Sequence, residues 1–404
     1  MTRNRQLLVR MTYRLAAACC LMLLAWPAQA DEEERPAKRP AGVAPQELSA
    51  AATANKKPVR AASAGDTFIA KAHAQSTAAI SVSDYTQILE LCQRGIHAGV
   101  SEESDGYTRR LMSWAYNRRG ELLSEQGHDT LALVDFEAAI QNDKSRWRAY
   151  HNRGVSLALV GKHRDAIADF NRTVEINPRF ANAYFNRGEV FYELGELESA
   201  IRDYTRAIKL QPDDAAFHAS RGHTYHRLGQ YREAAHDYTV GLRLDGENAA
   251  VRCNRGDLYA ELGYYKQAVA DYQEAVRSDS KLARAYLSSA WMMATCIDVT
   301  YRSVEGSLDA MTQAAKLGGQ QDHRFLDILA AVQANAGNYN QARQTLEKAL
   351  ETAPEEYRGQ YATRLDLYEK RQPFRVNPRP LPEVADRRGE RTPAVRQATS
   401  EAPE

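Results

Sequence analysis

The sequence predicts an all-α protein, a right-handed α-solenoid of stacked helical hairpins. Three sets of residues carry that expectation. Gly120, Gly154, Gly188, Gly222 and Gly256 follow one another at intervals of 34 residues, three of them inside the tripeptide Asn-Arg-Gly. Ala132, Ala166, Ala200, Ala234 and Ala268 keep the same interval, and so do Phe136, Phe170, Tyr204, Tyr238 and Tyr272. Three grids at one period mark a chain built from repeats.

The repeating unit is two helices. In the unit that starts at Ala181, the residues Tyr184, Gly188 and Phe191 have the spacing of one helix face, and Ala200, Tyr204 and Ala207 have it on a second helix. Gly188 and Ala200 are small enough to let the two helices approach where the aromatic side chains interlock. Leu194-Gly195 ends the first helix, and Pro212 stops the second before the next unit. One hairpin cannot cover its own apolar face; stacked neighbours can.

These units resemble the tetratricopeptide-repeat (TPR) family over roughly residues 113–356. About seven units begin near Ser113, Trp147, Ala181, Ala215, Ala249, Ala283 and His323. The sixth departs, with Ala290 in place of the glycine and about six extra residues around Cys296–Gly306. The seventh returns to pattern with Gly337, Ala342, Leu346, Ala349 and Pro354. Ile88, Cys92 and Gly95 read as the second helix of a degenerate opening half-unit, and Glu355–Lys370 as a solvating cap helix. His218 and Arg252 stand in the aromatic slot, and Gly246 and Ser280 where Pro is expected, which should weaken those units.

The flanks read differently. Arg3, Arg5, Arg10 and Arg14 precede an apolar run from Leu15 to Trp26 and the small-residue ending Ala28-Gln29-Ala30, so 1–30 reads as a secretory signal peptide. The run is shorter than the ~20 residues a membrane-spanning helix needs. Cys19 and Cys20 do not sit in a lipid-attachment box. Residues 31–82 read as a disordered Ala/Pro/Lys linker, 83–370 as the solenoid with its cap helix, and 371–404 as a disordered Pro/Arg-rich tail. Export to the periplasm or the exterior follows, with no stable membrane span after cleavage. The remaining cysteines, Cys92, Cys253 and Cys296, form no disulfide framework and read as small residues on helix faces. A formal net charge of +1 offers nucleic acid no basic field.

Signals of catalysis fail: the chain has no phosphate-binding glycine loop, nucleophile elbow, His-Glu-x-x-His or Cys-x-x-Cys. The expectation is therefore a scaffold that is not an enzyme and uses no cofactor. Arg119, Arg153, Arg187, Arg221 and Arg255 recur with Asp135, Asp169, Asp203, Asp237 and Asp271, a pattern that suggests a ladder of Arg–carboxylate pairs along the solenoid.

A stripe on the first helices opposite the packing face is the candidate groove, formed by Arg148, Asn152, Val155 and Leu159 in one unit and Asn182, Asn186, Glu189 and Glu193 in the next. Resemblance to related solenoids implies that Asn152, Asn186 and Asn254 hold a peptide backbone, because an amide both donates and accepts. Glu121 with Glu125, Glu189 with Glu193, and Asp257 with Glu261 place like charges on one helix face and favour a basic or amide-rich protein or peptide. The Lys and Asn clamp by which some family members hold a C-terminal carboxylate is absent, since Asn117, His151, Phe185, Ala219 and Cys253 occupy the Lys slot. His223 and His226 suggest weak Zn²⁺ binding, against the plainer reading of polar side chains on an exposed face. Two roles stay open: a scaffold that binds a peptide or protein in its concave groove, and an accessory subunit of an envelope enzyme or secretion complex that docks through its convex face or tails.

Overall fold

The structure, a computed structural model, describes residues 63–318 and 322–379. The signal peptide read over 1–30, most of the linker and the far tail lie outside the described residues. Among the described residues there are seventeen helices and no strand beyond one parallel bridge between Cys296 and Val376. They fall into two compact units divided between Thr224 and Tyr225.

The first unit holds α1 (Ala64–Ser76), α2 (Val82–His97), α3 (Glu102–Glu125), α4 (Asp129–Asn142), α5 (Trp147–Leu159), α6 (His163–Ile176), α7 (Ala181–Glu193) and α8 (Leu197–Leu210). The division falls inside α9 (Ala215–Arg227). The second unit continues with α10 (Tyr231–Leu244), α11 (Ala249–Glu261), α12 (Tyr265–Ser278), α13 (Ala283–Thr295), α14 (Val304–Lys316), α15 (His323–Asn335), α16 (Tyr339–Thr352) and α17 (Glu355–Glu369). Consecutive helices pair as hairpins, α3 with α4, α5 with α6, α7 with α8, α11 with α12 and α15 with α16.

Glycine sets the closeness of the pairs α3–α4, α5–α6, α7–α8 and α11–α12. A Cβ placed on Gly188 would stand 2.8 Å from Cε1 of Tyr204, and one on Gly256 2.7 Å from the same atom of Tyr272. The hairpin turns at a left-handed glycine, such as Gly195 at φ 79°. There the Glu196 amide donates back to the Phe191 carbonyl at 2.9 Å and closes the helix end. In the sixth hairpin Ala290 is fully buried, and buried Met311 stands where earlier units have an aromatic ring. An unbranched thioether yields room for the extra methyl.

Several boundaries differ from the expectation. The linker read to 82 ends sooner: Ser63 caps α1 and Ile69 and Ala72 are buried. Composition hid this helix because its small residues serve packing. A Cβ on Gly65 would meet the Gly95 carbonyl oxygen at 2.5 Å, so α1 and α2 cross where neither has a side chain. The opening half-unit thus has both helices. Helix α3 starts at Glu102 rather than Ser113, with Glu102, Glu103 and Asp105 favouring its N-terminus. Its added turns bury Tyr107 and Leu111 with Tyr85 and Leu89 of α2. The tail read as disordered from 371 is ordered to Arg379, as described below.

His218 and Arg252 do not weaken their units in the expected way. Tyr184 Oη donates to the Pro178 carbonyl at 3.4 Å and Tyr286 Oη to that of Ser280 at 3.4 Å. His218 Nε2 stands 3.0 Å from the Pro212 carbonyl, and Arg252 Nη2 donates to that of Gly246 at 2.5 Å. The slot needs a polar tip of this reach, and the loop needs only a carbonyl.

Candidate functional site

The recurring arginines are consumed by structure. Arg187 donates from Nε and Nη2 to both carboxylate oxygens of Asp203, each at 2.7 Å, and Arg119, Arg153 and Arg255 grip Asp135, Asp169 and Asp271 in the same bidentate way. The third nitrogen reaches the second helix of the preceding hairpin. Arg119 Nη1 donates to Thr86 at 3.0 Å, Arg187 to Asn171 at 2.7 Å, Arg221 to Thr205 at 3.1 Å and Arg255 to Thr239 at 3.2 Å, while Arg153 pairs with Glu137. The guanidinium groups of Arg119, Arg153, Arg187 and Arg255 therefore each tie two helices of one hairpin and staple them to the second helix of the hairpin before. Arg221 and Asp237 fall on opposite sides of the division between the units.

The first-helix stripe is also partly spent within the chain. Asn152 Nδ2 donates to Asn117 Oδ1 at 3.0 Å and to Glu121 Oε1 at 2.7 Å. Glu121 also accepts from Asn117 and Arg118. Asn186, expected to face a ligand, is only 3% exposed, and its Nδ2 lies 3.0 Å from His151 Nε2. Burial pushes His151 down to about 4, so it is neutral. These side chains stitch one first helix to the next. The acceptor oxygens of Asn182, Asn186 and Asn254 remain buried without a hydrogen-bond partner.

The acidic rungs have partners too. Glu189 accepts from Tyr204 Oη at 2.6 Å, and burial raises its carboxyl above the usual range. Glu193 stands 3.5 Å from His163 Nδ1. Asp257 accepts from Tyr272 at 2.9 Å and from Arg284 on the following first helix at 2.7 Å. Glu261 lies 3.4 Å from His226 Nε2; burial opposes its charge, but the His226 imidazole and the Arg379 charge together outweigh burial and lower its pKa. Glu125 is exposed. His223 stacks on Tyr192, with ring centroids 5.5 Å apart. No group of three or more His, Cys, Asp or Glu side chains is placed to hold a metal ion among the described residues, and none of the described helices is long and apolar enough to cross a membrane. Cys92, Cys253 and Cys296 are free and buried.

One feature of the second unit escaped the sequence reading. After α17 the chain turns at Arg371, which holds a left-handed φ of 57°, and then runs extended. Phe374 stacks on Trp291 of α13 at 5.8 Å, and the Arg364 guanidinium lies 4.7 Å from the Phe374 ring. Arg375 Nη1 donates to the Ala294 carbonyl at 2.6 Å and Nη2 to Asn335 Oδ1 at 3.1 Å. The Val376 amide donates to the Thr295 carbonyl at 2.9 Å, and the Arg379 amide to that of Glu261 at 2.8 Å. Arg379 Nη1 then reaches Tyr231 Oη at 2.9 Å. The strap so formed covers the C-terminal ends of α13 and α11, where helix carbonyls lack partners and a cation is favoured. Two arginines four residues apart among prolines were the visible signal for it.

Comparison with known proteins agrees with this architecture. Models of the TPR repeat match residues 160–195 and 188–229, and tetratricopeptide-repeat models match 220–283 and 323–356. No curated protein matches the chain. A tetratricopeptide repeat protein from Parabacteroides merdae is 15% identical with a TM-score of 0.51, over 64% of this chain and 99% of that one. PilF of Pseudomonas aeruginosa is 18% identical with a TM-score of 0.49, over 55% and 98%. YrrB, described as a TPR protein with an unusual peptide-binding site, is 20% identical with a TM-score of 0.38, over 42% and 88%. The 34-residue period, the glycine–aromatic hairpins and the repeat models together identify residues 160–283 and 323–356 of this chain as tetratricopeptide repeats.

Proposed function

We infer that this chain is a non-catalytic, exported scaffold that holds an extended segment of a partner protein in the groove formed by the stripe and ends of its first helices. The observation that supports this most is the strap: a stretch of extended polypeptide lies on that surface, bound through its own backbone amides to the carbonyls of Thr295 and Glu261. Main-chain bonding of this kind suits any extended chain, while side chains beside it select the sequence. The first unit offers the equivalent stripe with Asn182, Glu189 and Glu193 half-buried or exposed, and it carries no strap among the described residues. Export rests on the charged, apolar and small-residue pattern of residues 1–30.

Site-specific photo-crosslinking tests the reading. A photoreactive side chain at Glu193, at the end of α7, should capture a partner through an extended segment. The same group at exposed Arg202, on α8, should capture none. Adducts from Arg202 with none from Glu193 would favour docking through the second helices, which is the accessory-subunit reading.

A further inference from the structure

The strap in the second unit has the attributes of a bound ligand more than those of a finished element of the fold. It belongs to no helix or sheet of its own, and it hangs from α17 by a strained hinge, the only non-glycine residue with positive φ among the described residues. Its arginines are held by carbonyl, amide and phenol oxygens: Arg375 by Ala294 and Asn335, Arg379 by Tyr231. Neither has a carboxylate partner at salt-bridge distance among the described residues, although every rung of the ladder inside either unit does. Burial and the nearby charge of Arg302 lower the Arg375 pKa, so docking this guanidinium costs free energy that the ladder arginines recover from aspartate. The contacts also advance in register. Phe374 and Arg375 meet the end of α13, and four residues later Arg379 meets the end of α11 and the start of α10. Four extended residues span roughly 13 Å, enough to pass obliquely from one hairpin to the next at the ~10 Å spacing of packed helices.

We propose that the ends of α11 and α13, with Trp291, Asn335 and Tyr231, form a binding site for an extended partner segment bearing an aromatic residue followed by arginines four apart, and that residues 374–379 occupy it in cis. This deepens the functional reading above and rests on it, because it names the class of segment held and a gate on access. The site fits a basic chain: Arg375 donates to a carbonyl at the C-terminus of α13, Trp291 offers a stacking surface, and the Glu261 carboxylate attracts the Arg379 guanidinium. A partner must then compete with a tethered segment, whose effective concentration is in the millimolar range for a short connection. For a segment binding at ~100 μM in trans, cis occupancy weakens its apparent affinity about tenfold.

The test uses the full chain and a synthetic peptide of residues 372–381. In one variant Phe374→Ser, Arg375→Ser and Arg379→Ser empty the site. Calorimetric titration should show this variant binding the peptide about tenfold more tightly than the unaltered chain, with no gain for a peptide in which both arginines are serine. Equal binding by the two proteins overturns the proposal. Should the variant lose its folded circular dichroism signal, the unaltered chain decides: excess peptide should raise hydrogen exchange at the Val376 and Arg379 amides, and unchanged exchange overturns the proposal. Concentration-dependent dimers of the unaltered chain that exchange their straps would also overturn it, since the occupant would then be a second copy. A failed peptide test with successful crosslinking from Glu193 removes only this inference; failure of both removes the functional reading as well.

Discussion

The two units are built from the same repeat but hold themselves together differently. From residue 63 to 224, regularity supplies the links: Arg119, Arg153 and Arg187 each staple a hairpin to the one before. In the second unit the ladder keeps one rung, Arg255 with Asp271 and Thr239, and then runs out. Ser289 and Leu329 stand where Arg would be, and Ala310 and Thr345 where Asp would be. There a single buried ion pair, Arg364 with Asp327, and a returning strap make the long-range connections. A strict period lets short-range contacts be repeated; once the period slips at the Cys296–Ser303 insertion, the chain needs contacts between residues far apart in sequence.

The largest expected effect would break the second unit alone. Arg364→Met leaves the Asp327 carboxylate buried without its partner, at a cost of about 3–5 kcal/mol. Denaturant unfolding should then split into two transitions, the earlier one reported by hydrogen exchange in residues 283–379. A single unchanged transition would mean that this ion pair is not what holds the unit.

The next effect belongs to the first unit. His151 has a folded pKa of about 4 against an ordinary 6.5, lowered first by burial. Below 6.5 the unfolded chain takes up a proton that the folded site refuses, so stability falls with pH down to about 4 and its contribution then levels off. The full difference is on the order of 3 kcal/mol. His151→Asn should flatten the pH dependence of α5–α8 unfolding between these limits, and leave that of residues 249–379, with Cys253 in the same slot, untouched.

Smaller changes sharpen the comparison of packing with backbone strain. Gly188→Ala pushes a methyl into Tyr204 and should cost about 1–3 kcal/mol in thermal unfolding. Gly195→Ala meets open space but keeps a left-handed residue, at about 1–2 kcal/mol. At the strap hinge the sign reverses. Arg371→Gly relieves a left-handed strain and should stabilise the second unit by up to about 1 kcal/mol, raising its midpoint slightly.

Much of this architecture was legible because a repeat states its rule many times. The helices beginning at Trp147, Ala181, Ala215, Ala249, Ala283 and His323 start on the residues that the period assigns. The Arg–Asp pairing was legible for the same reason. Helix α1 was not, because Gly65, Ala72 and their neighbours look like linker composition, and only Gly95 opposite them explains their smallness. The asparagine row was legible as a row but not in its use: Asn152 and Asn186 turn toward the preceding first helix, a direction that spacing within one helix does not encode. The strap depends on meetings such as Arg379 with Tyr231, which no local pattern announces.

Hydrogen exchange of the unaltered full chain tests most directly the claim that first-helix ends hold an extended polypeptide. The amides of Val376 and Arg379 should exchange at least about tenfold more slowly than an unstructured chain, and Trp291→Ala together with Asn335→Ala should abolish that protection. Exchange at the unstructured rate in the unaltered chain would contradict the account.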